Sequence, residues 1–410
     1  MRILMLTPYL PYPPASGGQI RTYNLLKHLS RSHEVHLVCL YKKPEEKDQA
    51  KHLEQFCKKI YLCKRPEKPW QVSTVFKSVF GKLPFLIVRN YSEEAAQTVR
   101  SLISKYDFDV IHAETFYIMP HIPETSIPIL LVEQTIEYRV YKHFIQSKPW
   151  FIHHPLRLDT FKLRYWERYF WRKATLVAAV SEADARAIKM LAPEMEPVVI
   201  PNGAGDEMFE HQALFARTDM NDRVKILFLG NFSWLQNKEA ADILVKNIYP
   251  HLVKLIPHLE IVIAGQNIPK YYASLISDQI SIVDLEHANT QAVKDLYAAS
   301  HMFVAPIYGP GGTRLKILAA MATRIPIITT ATGAEGLSLE DNVSYLQAQS
   351  TDDFVRQIVR LSHDVELQKN ITEHAYQLAR KKYSWEAITR DLIAAYHQII
   401  KIPKIEVISK

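Results

Sequence analysis

The sequence predicts an α/β protein built from two doubly wound, parallel-sheet domains, and three observations carry that expectation. The chain has 410 residues, more than one ordinary hydrophobic core organises and enough for two domains of about 200 residues each. Short apolar runs alternate with amphipathic stretches of helical period, as strands do when helices cover both faces of a parallel sheet. The alternation pauses once, at Val198–Gly203 (VVIPNG) and the polar stretch 211–222, and then restarts. The expected domains are 1–205 and 206–384, with a C-terminal helix and tail over 385–410 packing back on the first domain.

In the first half, Arg2–Leu6 (RILML) reads as a buried strand. Gly18–Ser30 follows as a helix, with Ile20, Leu25, Leu26 and Leu29 recurring at helical spacing. Val35–Leu40 is a second strand and Glu93–Lys105 a helix. Asp109–His112, Ile127–Glu133 and, after a long helical segment, Leu176–Val180 complete the strands of this half. The second half restarts at Val224–Gly230. It continues through Leu259–Gly265, Ser281–Leu285, Met302–Pro306 and Ile325–Thr330 to an amphipathic helix over Trp385–Ile399. The halves share architecture only, without a short repeat or low-complexity segment. In such sheets ligands bind beyond the carboxyl ends of the strands, so chemistry is expected in the cleft between two facing domains.

Composition narrows the class. Hydrophobic residues make up 48% and charged residues 23%, a globular balance. No apolar run reaches the ~18 residues that span a bilayer. The opening MRILMLTPYLPYPP reads as a first strand and not a secretion leader, because prolines interrupt it at once. Cys39, Cys57 and Cys63 show no metal spacing, and an odd count suits reduced thiols in a cytoplasmic protein. The formal net charge of +7 points to an anionic partner. Without a zinc-finger or RNP-type motif, nucleic acid is not expected, which leaves phosphorylated ligands and anionic membranes.

The strongest chemical signal is the run from His301 to Leu337. A strand ends at Pro306, the glycine-rich loop Gly309-Pro310-Gly311-Gly312 follows, and a helix is expected from Thr313. Free amides at a helix N-terminus favour an anion, and glycines let the backbone approach a phosphate closely. Arg314 and Lys316 add positive charge there, so a diphosphate is the natural ligand; the alternative is a tight turn with solvated basic residues. On the first domain, Glu114, Glu133 and Glu137 stand at expected strand ends, where a carboxylate orients a hydroxyl, accepts a proton or simply caps a turn. His112 lies along an apolar strand and is expected to be buried and hydrogen-bonded.

The run GPGGTRLKILAAMA ending in GAEGL resembles the donor-binding segment of the family-4 retaining glycosyltransferases, in the branch whose motif reads G-T-R-L-K-I-L-E-A-M-A. Ser16-Gly17-Gly18, DVIHAE (Asp109–Glu114), VAAVSEADA, VIPNGAGDEMF, FLGNFSWLQN and YSWEAI match that family in order and spacing, so the resemblance covers nearly the whole chain. It implies a GT-B fold of two Rossmann-like domains, with a nucleotide-sugar donor on the C-terminal domain and a glycan or lipid-linked acceptor largely on the N-terminal one. It further implies no cofactor and no metal, since helix amides and basic side chains neutralise the leaving diphosphate. Donor contacts carried over are Gly17, Gly18, Gly312, Thr313, Arg314, Leu315, Lys316 and Glu335, the last either a donor ligand or a turn cap. Glu114, Glu133 and Gln134 are the catalytic candidates.

The chain departs from the family at four places. Ala319 replaces the Glu of E-A-M-A that holds the nucleotide ribose; Gln134 stands near the His of an E-H-N-type segment; Arg324 stands at a helix end where the family has Gly; and Asn231 stands where many relatives carry a phosphate-binding Arg. The expected function is metal-independent transfer of a hexose-type residue in cell-envelope polysaccharide or glycolipid synthesis. A GT-B partner protein without turnover is the alternative, motivated by Ala319. An epimerase has no motif beyond the fold, and a dinucleotide dehydrogenase lacks G-x-G-x-x-G after the first strand.

Basic residues alternate with aromatics over 58–85, with Trp70, Phe76, Phe80 and Phe85, and over 144–173, with Trp150, Phe151, Trp166 and Trp171. Such surfaces suit an anionic bilayer interface, which places the chain in the cytoplasm, on the inner face of the membrane. The alternative is helices packed on the sheet with a solvated basic face.

Overall fold

The computed structural model describes residues 1–67, 71–146, 153–210, 224–285, 290–309 and 314–401. The chain divides into two compact units, Met1–Pro201 with Ile388–Lys410, and Asn202–Ala387.

The first unit is organised by β1 (Arg2–Thr7), β2 (Glu34–Tyr41), β3 (Lys59–Lys64), β4 (Val110–Glu114), β5 (Ile129–Glu133), β6 (Leu176–Ala179) and β7 (Val198–Val199). They form one sheet in the order β3-β2-β1-β4-β5-β6-β7, parallel throughout. The winding reverses between β1 and β4, so their carboxyl ends flank the position where such sheets bind ligands. Ile3, Leu4, Met5 and Leu6 are all fully buried, as expected of a strand covered on both faces. The helix Gly17–Leu29 covers the sheet with Leu25, Leu26 and Leu29. The helix Glu93–Lys105 does so with Ala95, Val99 and Leu102; its Ser92 cap accepts the Ala95 amide, and Glu93 and Glu94 meet the positive end of its dipole.

Part of the expected basic-aromatic surface is sheet instead. Lys59–Lys64 is edge strand β3, buried at Cys63 and exposed at the lysines that end it. Phe85 is buried, and Trp171 is fully buried. Trp70, Trp150 and Phe151 lie outside the described residues. Cys39, Cys57 and Cys63 are all free and buried, and burial pushes each thiol up, to about 12 at Cys57 and about 11 at Cys63.

In the second unit, β8 (Val224–Asn231), β9 (Leu259–Gln266), β10 (Ile280–Asp284), β11 (Met302–Ala305), β12 (Ile327–Thr329) and β13 (Leu346–Gln347) form a parallel sheet in the order β10-β9-β8-β11-β12-β13. Its core joins Ile226, Phe228, Ile261, Ile263, Phe303 and Ile328 to the helices Leu315–Ala322, Thr351–His363 and Val365–Tyr383. Gly265 pairs with Gly230 and has φ +148; a Cβ there would stand 1.7 Å from the Gly230 carbonyl oxygen, so the position admits only glycine.

The last helix, Trp385–Ile400, is counted with the first unit from Ile388 onward, where it buries Leu392, Tyr396 and Ile399. No helix among the described residues is long and apolar enough to cross a membrane.

Candidate functional site

The second unit builds a compact cationic corner where β8 and β11 end. The helix Leu315–Ala322 begins two residues later than expected, with Arg314 at its N-cap position. Gly312 and Thr313 lie outside the described residues. Arg314 is buried and donates from Nη2 to the Gly309 carbonyl at 2.8 Å. Leu315 packs on the core, which turns its neighbour Lys316 the other way, towards the end of β8.

Lys316 Nζ donates to Asn237 Oδ1 at 2.5 Å, and Asn237 Nδ2 donates to the Asn231 carbonyl at 2.7 Å. The ammonium lies 5.0 Å from the Phe228 ring centroid. A Cβ at Gly230 would meet it at 3.1 Å, so this glycine makes room for the lysine. Burial, then the charge of Arg314, brings the Lys316 ammonium down to about 7, and burial lowers Arg314 as well. The corner sets two cations, Arg314 and Lys316, at the start of a helix, an arrangement that can meet an anion by both charge and hydrogen bonding.

Around the corner, exposed Glu335 follows the helix Ala331–Ala334 and is felt electrostatically by Arg314. Ala319 lies half-buried one turn into the Leu315–Ala322 helix. Asn231 bonds Gln266 and Asn267 instead of offering a charge. Arg324 caps the helix with φ 55, held by an ion pair to Glu373 at 3.3 Å and by the Tyr376 ring at 3.6 Å.

In the first unit, Gly17 and Gly18 form the first turn of a helix and not a free loop, and Gln19 Oε1 accepts from the Ser16 amide at 3.1 Å. A Cβ at Gly18 would meet the Tyr9 hydroxyl at 2.6 Å and Gln134 Oε1 at 2.7 Å. The turn therefore adjoins a buried polar network. Gln134 Nε2 donates to the Tyr9 hydroxyl at 2.8 Å and to Glu114 Oε2 at 2.6 Å. Glu114 Oε1 accepts from Arg21 Nε at 3.3 Å and faces His112 Nε2 at 3.0 Å. His112 Nδ1 faces the Tyr396 hydroxyl at 2.5 Å, so this histidine is buried and fully bonded, as expected.

Burial alone would raise Glu114. The Arg21 charge and the bonds from His112 and Gln134 outweigh it and hold the carboxyl down to about 2. Glu114 is thus a permanently charged anchor that accepts no proton near neutral pH.

Glu133 has the opposite environment. It is fully buried, accepts from Trp171 Nε1 at 2.8 Å, and burial pushes it up to about 8. Glu137 is raised to about 7 by burial, against the charge of Arg89, and Glu167 is also raised well above its ordinary value, by burial and then by the charges of Glu133 and Glu137. Glu167 accepts the Glu137 amide at 2.7 Å and the Tyr138 amide at 3.1 Å, capping the helix Glu137–Gln146. Glu133 is thus a protonated interior acid.

The structure brings Gly18, Glu114 and Gln134 into one network and Arg314, Leu315 and Lys316 into another. Glu133 sits apart, behind Trp171. Sequence reasoning missed Tyr9, Arg21, Tyr396 and Asn237. Arg21 carried a signal: it stands four residues before Leu25 and eight before Leu29, a charge on the buried face of its helix.

Two all-parallel doubly wound units, one ending in a cationic helix N-terminus, define a GT-B glycosyltransferase fold. Two family models match the chain: one described as "Glycosyltransferase Family 4" over residues 15–207, and one described as "Glycosyl transferases group 1" over residues 223–364. The chain belongs to the family-4 glycosyltransferases. It is similar to an uncharacterized 44.6 kDa protein in the cps region of Klebsiella pneumoniae, at 22% identity over 93% of this chain and 96% of that one. Among solved structures it is similar to a sucrose-phosphate synthase from Thermosynechococcus elongatus (TM-score 0.72, 16% identity, 97% and 99% of the two chains). It is also similar to Anabaena HepE in complex with UDP and glucose (TM-score 0.65, 14% identity, 97% and 100%).

Proposed function

We propose that this glycosyltransferase is a retaining, metal-independent hexosyltransferase that moves a sugar from a nucleotide diphosphate sugar to a glycan or lipid-linked acceptor in cell-envelope polysaccharide or glycolipid synthesis. The observation that carries the donor reading is the Arg314–Lys316 corner, where two enclosed cations and helix amides await an anion. The UDP held by Anabaena HepE, of the same fold, supports a nucleoside diphosphate there. In the proposed step the bond from the anomeric carbon to the diphosphate breaks. The acceptor oxygen bonds to that carbon from the same face, and its proton passes to the departing diphosphate. Arg314, Lys316 and the helix amides stabilise the charge that develops, so the leaving group requires no metal and no cofactor. The environments of Glu114 and Gln134 agree with this route, since neither takes up a proton at neutral pH; they hold Arg21 and Tyr9 in place on the acceptor side.

Aromatic side chains stand out on the first unit: Phe76 is 62% exposed, Phe80 75% and Phe161 70%, with Lys77, Arg157 and Arg164 exposed beside them. That surface supports a place at the inner face of an anionic membrane.

Calorimetric titration with a panel of nucleoside diphosphates and their sugars, in EDTA, tests the donor reading. One nucleotide is expected to bind, about 10- to 100-fold more weakly in Arg314→Ala. Ala319→Glu is expected to tighten it by a similar factor by restoring a ribose contact. Absence of binding across the panel in folded protein would sink the proposal.

A further inference from the structure

A second cationic group lies on the first unit, away from the donor corner. Lys42 follows β2 and Arg65 follows β3. The Arg65 amide donates to the Tyr41 carbonyl at 3.0 Å, which carries the Tyr41–Lys64 register one step further and sets Lys42 beside Arg65 at the carboxyl edge of the sheet. The Arg65 guanidinium donates from Nη1 to Asn90 Oδ1, the last residue of the helix Phe85–Asn90, which brings in Arg89.

All three cations are half-buried. Burial and then their mutual repulsion lower Lys42, and the same causes lower Arg65 to about 10. Among the described residues no carboxylate stands within ion-pairing distance of any of them, and Arg65 Nε is buried without a hydrogen-bond partner. Glu46 is close enough to be felt, but its oxygens accept the backbone amides of Lys42 and Lys43, each at 3.2 Å. Glu137 and the Tyr117 and Tyr141 hydroxyls also lie near: Glu137 and Tyr141 feel Arg89, and Tyr117 feels Arg65, Arg89 and Glu137.

Enclosing three like charges with no carboxylate in ion-pairing contact costs stability. A fold that keeps such a group at its ligand-binding edge has a use for an anion there. The guanidinium forks of Arg65 and Arg89 match phosphate oxygens two at a time, and Lys42 adds a point charge.

We propose that Lys42, Arg65 and Arg89 form an acceptor subsite for a phosphate or diphosphate group, so that the acceptor of this enzyme is phosphorylated. The inference rests on the glycosyltransferase reading, with the sugar hydroxyls of the acceptor lying towards Glu137 and Tyr117. A soluble sugar phosphate and a lipid-linked diphosphate share this chemistry.

The test is titration of the full chain with inorganic pyrophosphate, in wild type, Arg314→Ala, Arg65→Gln, Arg89→Gln and Lys42→Gln. A binding event that survives Arg314→Ala and weakens about 10- to 100-fold in both Arg65→Gln and Arg89→Gln is the expected result. Unchanged pyrophosphate affinity in folded Arg89→Gln and Lys42→Gln, or no event surviving Arg314→Ala, overturns it. Nucleoside diphosphate binding is followed in the same proteins and is expected to be untouched by Arg65→Gln and Arg89→Gln; its absence everywhere would count against the donor reading, while the pyrophosphate result still judges the subsite. Glucose 6-phosphate and a short-chain prenyl diphosphate in detergent separate the sources: whichever loses affinity in Arg89→Gln identifies the acceptor, and loss for neither overturns the proposal.

Discussion

Burial and the charge of Arg314 bring Lys316 down to about 7, which would couple binding of the proposed donor to a proton. A diphosphate beside the ammonium raises its pKa above the unliganded value of about 7. Binding above pH 7 therefore takes up a proton, and affinity falls as pH rises, by up to about tenfold per unit between the free and bound values. Calorimetry at pH 8 in two buffers of different ionisation enthalpy should give different observed heats; equal heats would remove Lys316 from the site.

Arg324 poses the opposite balance, strain against contact. A left-handed conformation costs a side-chain-bearing residue about 1–2 kcal/mol, while the Glu373 pair and the Tyr376 ring return a similar amount. Arg324→Ala keeps the strain and loses the contacts, so urea denaturation should show a loss of about 1–2 kcal/mol. Arg324→Gly loses both and should stay within about 1 kcal/mol of wild type. The cap was legible in the sequence because a single position departed from glycine. Tyr9 and Tyr396 were not: the bond from His112 to Tyr396 joins residues 284 apart, and no local period announces such a partner.

At the scale of elements, the junction of β5 with the helix Glu137–Gln146 stores three carboxyls, Glu133, Glu137 and Glu167, all raised by burial. Groups with a raised folded pKa bind more protons folded than unfolded. Their contribution is complete below the ordinary value of 4.5 and is lost as pH rises through the folded values of about 7 and 8. Stability of the first unit should fall between pH 5 and pH 8, and Glu133→Gln should flatten that slope; urea midpoints across this range check it, and a parallel slope in the variant would refute the assignment. Strands with both faces buried, such as β1 and β9, were readable as apolar runs. β7 and β13 have two residues each, too few to carry a period, and β3 was masked by the lysines that end it.

For the whole molecule, the two family matches divide along the chain much as the two compact units do. In the sequence, the expected boundary rested on the pause in the strand-helix alternation at Val198–Gly203 and the polar stretch 211–222. What the motifs left open was which basic-aromatic residues face outward, because a tryptophan buried on a protonated acid, Trp171, and an exposed phenylalanine, Phe161, have the same sequence surroundings. If the exposed set meets an anionic bilayer, the protein should co-float with phosphatidylglycerol vesicles and not with phosphatidylcholine vesicles. Phe76→Ala with Phe80→Ala should then reduce binding at least tenfold, since each aromatic buries about 150–250 Å². Equal recovery with both lipids, or an unaffected double variant, would dissociate the patch from the membrane.

The three cysteines, all interior and all in the first unit, give this chain a clock for one half of itself. An alkylating reagent meets no sulfur until that half opens, because burial hides the thiols and keeps them protonated. The pace of labelling under native conditions therefore counts the spontaneous openings of the first unit alone, and a donor nucleotide that slows it would reveal communication between the halves without any fluorophore or engineered probe.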